Sequence, residues 1–264
     1  MYLNYKAKFF FSSLNLTSRV TSLQAIEVVD IKGMKYVNVD TTHVKGISIA
    51  KSLGLAESGL ADVVVSSYLP EASSIFSPDY PGRPFALLRD PIERAVSMYY
   101  FRNSAYGDLN GVSLEDYAKG QGIENNWMTR FLTGQMEGEL AKEQLERAKI
   151  VLKRKFLIGF LDDLDESMFR FMKYNGWKFS DQDTEQLNQE ECLKTLTQVG
   201  VNVNPVKYEM PKRGSQAFAL ITWQTQYDMK LYEYAKELFD KQTKTWGSKE
   251  RRKQDKKKKK NIGA

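Results

Sequence analysis

A lone cysteine, Cys192, and a lone histidine, His43, are what this 264-residue chain is shortest of. One thiol has no partner within the chain, which excludes an internal disulfide framework and a cysteine-built zinc site. No cluster of carboxylates suggests a metal either, and none is expected. No stretch approaches the roughly 18 to 20 continuous apolar residues that a bilayer-spanning helix needs. The best apolar run near the start, Phe9 to Leu16, follows Lys6 and Lys8 and is short and polar, at best a weak secretion signal. The expectation is a soluble protein, or one whose membrane anchor lies outside this chain.

What is present is ordinary for a globular fold: 42% hydrophobic, 12% aromatic and 27% charged residues, enough to bury a core without staples. The net charge of +6 is unevenly spread. Lys249 to Lys260 holds nine basic and two acidic residues, a balance of +7, so the rest of the chain comes to −1. The basic character therefore reads as a solvated, disordered tail, the alternative being an arm for nucleic acid or an anionic surface. No specific nucleic-acid partner is expected. The organisation read from the pattern is an N-terminal extension over 1–33, one α/β domain over 34–241 and the basic tail over 242–264.

Within that domain, short β-branched runs alternate with longer helical ones, as in an α/β fold with a central, mostly parallel sheet flanked by helices. Strands are expected at Tyr36 to Asp40, Asp62 to Ser66, Pro84 to Leu88 and Phe156 to Phe160, apolar on both faces as in buried parallel sheets. Helices are expected at Ile47 to Leu55, Ile92 to Asn103, Leu114 to Lys119, Glu124 to Leu132, Glu139 to Arg154, Asp165 to Tyr174 and Gln216 to Lys241. The polar stretch Ser180 to Glu191 reads as a loop.

The richest segment is RDPIERAVSMYYFRN, residues 89–103, directly after the strand that ends at Leu88. Asp90 suits a helix N-cap, Pro91 the first helical position, and Glu93 the place from which a capping-box acid reaches back. Arg89 is left at the carboxyl end of a strand beside a helix N-terminus, the edge where open α/β sheets bind ligands. Arg94 and Ser97, three apart, share a helix face and can converge on one group. Arg89 with Ser97 would make a charge-assisted clamp for a phosphate. Geometry alone leaves that pair open between a clamp and ordinary surface pairing.

The block RDPIERAVSMYYF resembles the 3'-phosphate-binding segment of carbohydrate sulfotransferases, in particular the group that includes heparan sulfate 2-O-sulfotransferase and uronyl 2-O-sulfotransferase. FLIGFLDDLDESM is similar to that family's downstream strand and acidic turn, and YDMKLYEYAKELF to its final helix. The resemblance implies a three-layer, P-loop-like fold and 3'-phosphoadenylyl sulfate as co-substrate, with no metal. It also implies a glycan acceptor such as a glycosaminoglycan, and work in the Golgi lumen on a membrane anchor. It makes Arg89 and Ser97 the residues that hold the donor's 3'-phosphate.

The same resemblance points to YVNVDTTHVKGISIAKSL as the donor loop, with Lys45 stabilising the leaving phosphate and Gly46 and Ser48 lining the loop. The loop is shorter than the family's and lacks its proline and threonine. HVKGIS also lacks the second glycine and the Lys-Ser/Thr spacing of a nucleoside triphosphatase loop. Where the relatives carry a histidine base after their second strand, this chain has Ser66 and Ser67. His43, inside the loop, is the substitute considered; Glu71 and Asp62 are carboxylate alternatives that no spacing favours. Before the last helix, NVNPVKYEMPKRGSQAF resembles the segment that closes over the nucleotide, with Lys207, Lys212, Arg213 and Gly214 as the matching residues.

Overall fold

The computed structural model describes residues 25–31, 34–120, 122–177 and 208–249, together with 251 and 253. Phe9 to Leu16, Ser180 to Glu191, Lys207 and the lysine run from Lys256 lie outside the described residues. The chain forms two compact units, Met1–Arg83 and Pro84–Ala264, so a boundary falls within the span read as one domain.

In the first unit, β1 (Val28–Ile31) and β2 (Met34–Val37) pair antiparallel, with Val28 opposite Val37. Asn38 prolongs the ladder, accepting from the Glu27 amide at 3.0 Å and donating to the Ala25 carbonyl at 3.1 Å. Three helices follow: α1 (Val44–Ser52), α2 (Leu55–Ser58) and α3 (Leu69–Ser73). Ile47 and Ala50 of α1 meet Leu55 and Ile75 in a small core, against which Val37, Val39 and Val64 pack.

Two of the expected strands take other forms. The strand expected at Tyr36 to Asp40 is β2, ends at Val37, and belongs to an antiparallel hairpin instead of a parallel sheet. Asp62 to Ser66 forms no strand. Its Val65 carbonyl is taken at 2.8 Å by the Thr41 hydroxyl, so a side chain occupies an acceptor that a ladder would use.

The second unit is built on β3 (Phe85–Leu88) and β4 (Leu157–Phe160), which pair parallel, Phe85 opposite Leu157 and Leu88 opposite Phe160. A parallel pair needs a crossover. Here it carries α4 (Pro91–Ala105), α5 (Leu114–Ala118), α6 (Trp127–Thr133) and α7 (Lys142–Lys155). After β4 come a 3-10 turn (Leu161–Asp163), α8 (Leu164–Asn175), α9 (Gln216–Gln224) and α10 (Gln226–Trp246). The chain is thus a mixed helix and sheet protein with a small parallel sheet. β4 is buried throughout, whereas β3 leaves Leu87 exposed, so only one of the pair is a fully interior strand. Gly159 lets α8 lie close on β4, because a Cβ there would overlap the Phe171 ring and the Ser167 side chain.

Where one long helix is expected over 216–241, two are found, joined at Thr225. The cause is an exchange of caps. Asn126, in the left-handed region at φ 47°, turns its Oδ1 to the Tyr227 and Asp228 amides at 2.8 and 3.3 Å, at the start of α10. Asp228 in return accepts from the Met128 and Thr129 amides at 2.9 and 2.8 Å and from the Thr129 hydroxyl at 2.7 Å, at the start of α6. Each helix end satisfies amides of the other that would otherwise be orphaned. Asparagine is among the few residues that enter the left-handed region readily.

A second buried polar group fastens α8 to α10. Arg170 is fully buried; its Nε donates to Glu166 at 2.8 Å, and its two Nη atoms donate to the Phe239 carbonyl and the Thr243 hydroxyl, each at 2.7 Å. Its guanidinium also lies 3.5 Å from the centre of the Phe239 ring. α10 runs to Trp246, past the expected end at Lys241. Beyond it the Ser248 amide donates to Glu166, and Arg251 pairs with Asp163 at 2.7 Å, so the tail read as beginning at 242 is docked over its first residues. No helix among the described residues is long and apolar enough to cross a membrane.

Candidate anion site

Asp90 caps α4 as its sequence position predicts, accepting from the Ile92 and Glu93 amides at 2.9 and 3.1 Å, with Pro91 first in the helix. The cap fixes where the strand ends, and Arg89 emerges between the end of β3 and the helix N-terminus. Arg89 is half-buried. Its Nε lies 3.5 Å from Glu93 Oε2, and its Nη2 donates to the Tyr208 hydroxyl at 3.2 Å. Tyr208 in turn stacks on Tyr100 of α4, ring centres 4.7 Å apart and planes 11° from parallel.

Glu93, Ser97 and Tyr100 succeed one another at the four- and three-residue spacing that makes a continuous strip along α4. Ser97 is half-buried there, roughly 9 Å along the axis from Pro91. Glu93, expected to reach back to the cap, pairs with Arg89 instead. Arg94 does not converge with Ser97 either. Its guanidinium pairs with Glu124 and covers the Trp127 ring at 4.5 Å, which commits it to holding α6.

The segment leading into α9 ends beside this cluster. Tyr208 anchors it, and Lys212 and Arg213 follow, both exposed. Gly214 turns the chain with φ 89°, and Ser215 then caps α9, accepting from the Phe218 amide at 3.3 Å. The basic run beside Tyr208 is its only signal in the sequence, since no local pattern names a stacking partner.

Tyr232 likewise carries no signal of its own in the sequence. It is buried on α10, and burial, reinforced by Asp162, Asp90 and Glu93, pushes its phenol well above the ordinary range. It therefore stays a neutral hydroxyl beside the acidic groups that follow β3 and β4.

In the first unit, His43, Lys45, Gly46 and Ser48 gather at the start of α1. His43 is the N-cap residue, with extended backbone and no capping bond from its side chain. Lys45 and Ser48 are exposed on adjacent turns. Gly46 lets the helix start lie against the turn, because any Cβ would overlap the Asp40 carbonyl. The Asp40 carboxylate accepts from the Thr42 amide at 2.9 Å and from the Thr42 hydroxyl, and stands 3.9 Å from His43 Nε2. Among the alternatives for a base, Glu71 lies in α3 and Asp62 in the segment before it, exposed.

No group of three or more His, Cys, Asp or Glu side chains that could hold a metal ion occurs among the described residues. Comparison with known proteins finds no matching family model, no matching curated protein and no matching solved structure.

Proposed function

We propose that this protein is a sulfotransferase that takes a sulfuryl group from 3'-phosphoadenylyl sulfate and passes it to a hydroxyl of a carbohydrate, a glycosaminoglycan being the class its sequence resemblance favours. One observation carries the reading. Arg89 leaves the carboxyl end of a parallel strand directly before an Asp90-capped helix, within the block that resembles the family's 3'-phosphate segment. A half-buried guanidinium at the carboxyl end of a parallel strand, with five N–H donors of which only two are engaged, is suited to a phosphate. On this reading the β3–β4 pair is part of a P-loop-like, three-layer fold, and the enzyme works in the Golgi lumen.

The roles follow from charge. Arg89 and Ser97 are assigned to the 3'-phosphate, with Lys212, Arg213 and Lys207 adding positive charge and Gly214 the turn that carries them. Lys45 with the α1 amides, Gly46 and Ser48 is assigned to the phosphosulfate. The acceptor oxygen forms the new bond to sulfur as the bond from sulfur to the bridging phosphate oxygen breaks. The electron pair of that bond leaves with adenosine 3',5'-bisphosphate, and Lys45 offsets the charge. The acceptor proton passes to a base, for which His43 is the candidate. Positioning and electrostatics supply most of the acceleration in such transfers.

Replacing Arg89 by Ala tests the central assignment. Adenosine 3',5'-bisphosphate should bind about 10- to 100-fold more weakly by calorimetry, as losing hydrogen bonds to a charged group implies, while adenosine 5'-monophosphate is unaffected. Equal losses for both nucleotides would contradict the role.

A second reading, a non-catalytic protein of the same fold that binds nucleotide or glycan, is favoured by Asp40, whose carboxylate brings negative charge into the loop assigned to the phosphosulfate. Labelled-sulfate transfer to a panel of glycans separates the two: sustained turnover removes the second reading, and donor binding without transfer removes the first.

A further inference from the structure

We infer that Tyr208 is a positioning residue for Arg89, holding its guanidinium ready for an anion and tying anion capture to the Tyr208–Gly214 segment. The inference rests on the reading that Arg89 receives the 3'-phosphate, and deepens it. An unrestrained arginine carries large rotamer freedom, which binding would have to remove. Here that freedom is already limited from two sides, by Glu93 at 3.5 Å and by the Tyr208 hydroxyl at 3.2 Å. Ordering a side chain before the ligand arrives lowers the cost of capture.

Tyr208 can act as such a rest because it is held itself. Its ring stacks on Tyr100 at 4.7 Å and packs against the buried cluster of Ile92, Ala95, Val96 and Ile221. The hold also leaves bonding capacity for a ligand. A guanidinium has five N–H donors, and the contacts to Glu93 and Tyr208 use its Nε and Nη2. The Tyr208 oxygen accepts from Arg89 and keeps its own proton to donate. The two contacts differ in sign: the hydroxyl orients Arg89 without neutralising it, whereas Glu93 is an internal anion that competes with any incoming phosphate. Lys212 and Arg213 lie within about 18 Å of extended chain from Tyr208, so a segment anchored at Arg89 keeps two further cations near the same anion.

The test uses the full chain with Tyr208→Phe, Arg89→Ala and the double variant, titrated with adenosine 3',5'-bisphosphate and with adenosine 5'-monophosphate. Phenylalanine keeps the stacking ring and removes the hydroxyl. Tyr208→Phe should weaken the bisphosphate about three- to tenfold, leave the monophosphate unchanged and keep the melting temperature. In the Arg89→Ala background it should have no further effect, since the hydroxyl acts through the guanidinium. A purely structural role would lower the melting temperature or weaken both nucleotides alike, and either result overturns the inference. So does an unchanged bisphosphate affinity, or a loss that persists without Arg89. A wild-type chain that shows no preference for the 3'-phosphate brings down the parent reading and the inference together; a preference retained in full by Tyr208→Phe brings down the inference alone.

Discussion

The turn before α1 and the crossing of α6 with α10 put polar groups to opposite uses. At the turn, His43, Lys45 and Ser48 are exposed, and the one carboxylate present, Asp40, is bonded to its near neighbour Thr42. At the crossing, Asn126 and Asp228 are buried and bonded to amides about a hundred residues away in sequence. Polar groups of the second kind are committed to holding helices in place. Those of the first kind are free of that duty, which is what a reacting or ligand-binding group needs. Arg89 stands between the extremes, half-buried and held by two long contacts.

Substitutions should break the comparison in graded fashion. The largest effect on folding is expected at the buried ion pair. Glu166→Ala leaves the Arg170 guanidinium uncompensated in the interior, where burial already lowers its proton affinity against the opposing pull of Glu166. Chemical denaturation should report a loss of about 3–5 kcal/mol, the range for breaking a buried pair from one side.

A smaller loss, about 1–3 kcal/mol, is expected for Asp228→Asn, whose amide group would face backbone N–H donors. This site also carries a pH signature. Burial pushes the Asp228 carboxyl above the ordinary carboxylate range, although the Thr129 hydroxyl and the Met128 and Thr129 amides oppose the shift. Between its unfolded and folded pKa values the native state then binds more protons than the unfolded one. Its contribution to stability is fully present below the unfolded value of 3.8 and is lost as pH rises through the folded one. Denaturation curves of the wild type should contain that component, and those of Asp228→Asn should lack it.

The smallest folding effect is expected at Lys45→Ala, which removes an exposed side chain and should leave the denaturation midpoint in place. If the proposed activity is correct, sulfuryl transfer should nevertheless fall on the order of 10²- to 10³-fold. A folding loss at Lys45 as large as that at Asp228 would erase the distinction between the two regions.

What could be read from sequence follows the same division. The cap at Asp90 and most of α4, α7 and α8 are governed by neighbours within a few residues, and pattern alone locates them, while β3 and β4 are legible in their apolar composition and also find each other as partners. The break at Thr225 is imposed by Asn126, and Gln224-Thr225-Gln226 contains no glycine or proline to announce it. Asp62 to Ser66 has the composition of a strand, but a strand exists only with a partner, and here Thr41 takes the Val65 carbonyl. Glu93 had two possible partners within one helical turn, the cap amide and Arg89, and spacing cannot choose between them. Arg89 and Ser97 could be named from their motif, while Tyr208 depended on a contact with a residue 119 positions away.

The hinge at Thr225 gives Asn126 an influence beyond its own surroundings. Were 216–246 one straight rod, the basic stretch Lys212–Arg213 at its leading end would point along the axis of α10; the bend re-aims it. Residue 126 thereby bears on both helices at their junction, its amide donating to the Gln224 carbonyl at the end of α9 at 3.0 Å and its side chain accepting from the Tyr227 amide at the start of α10. A change at this one position therefore reaches the direction in which those cations are offered without altering either of them.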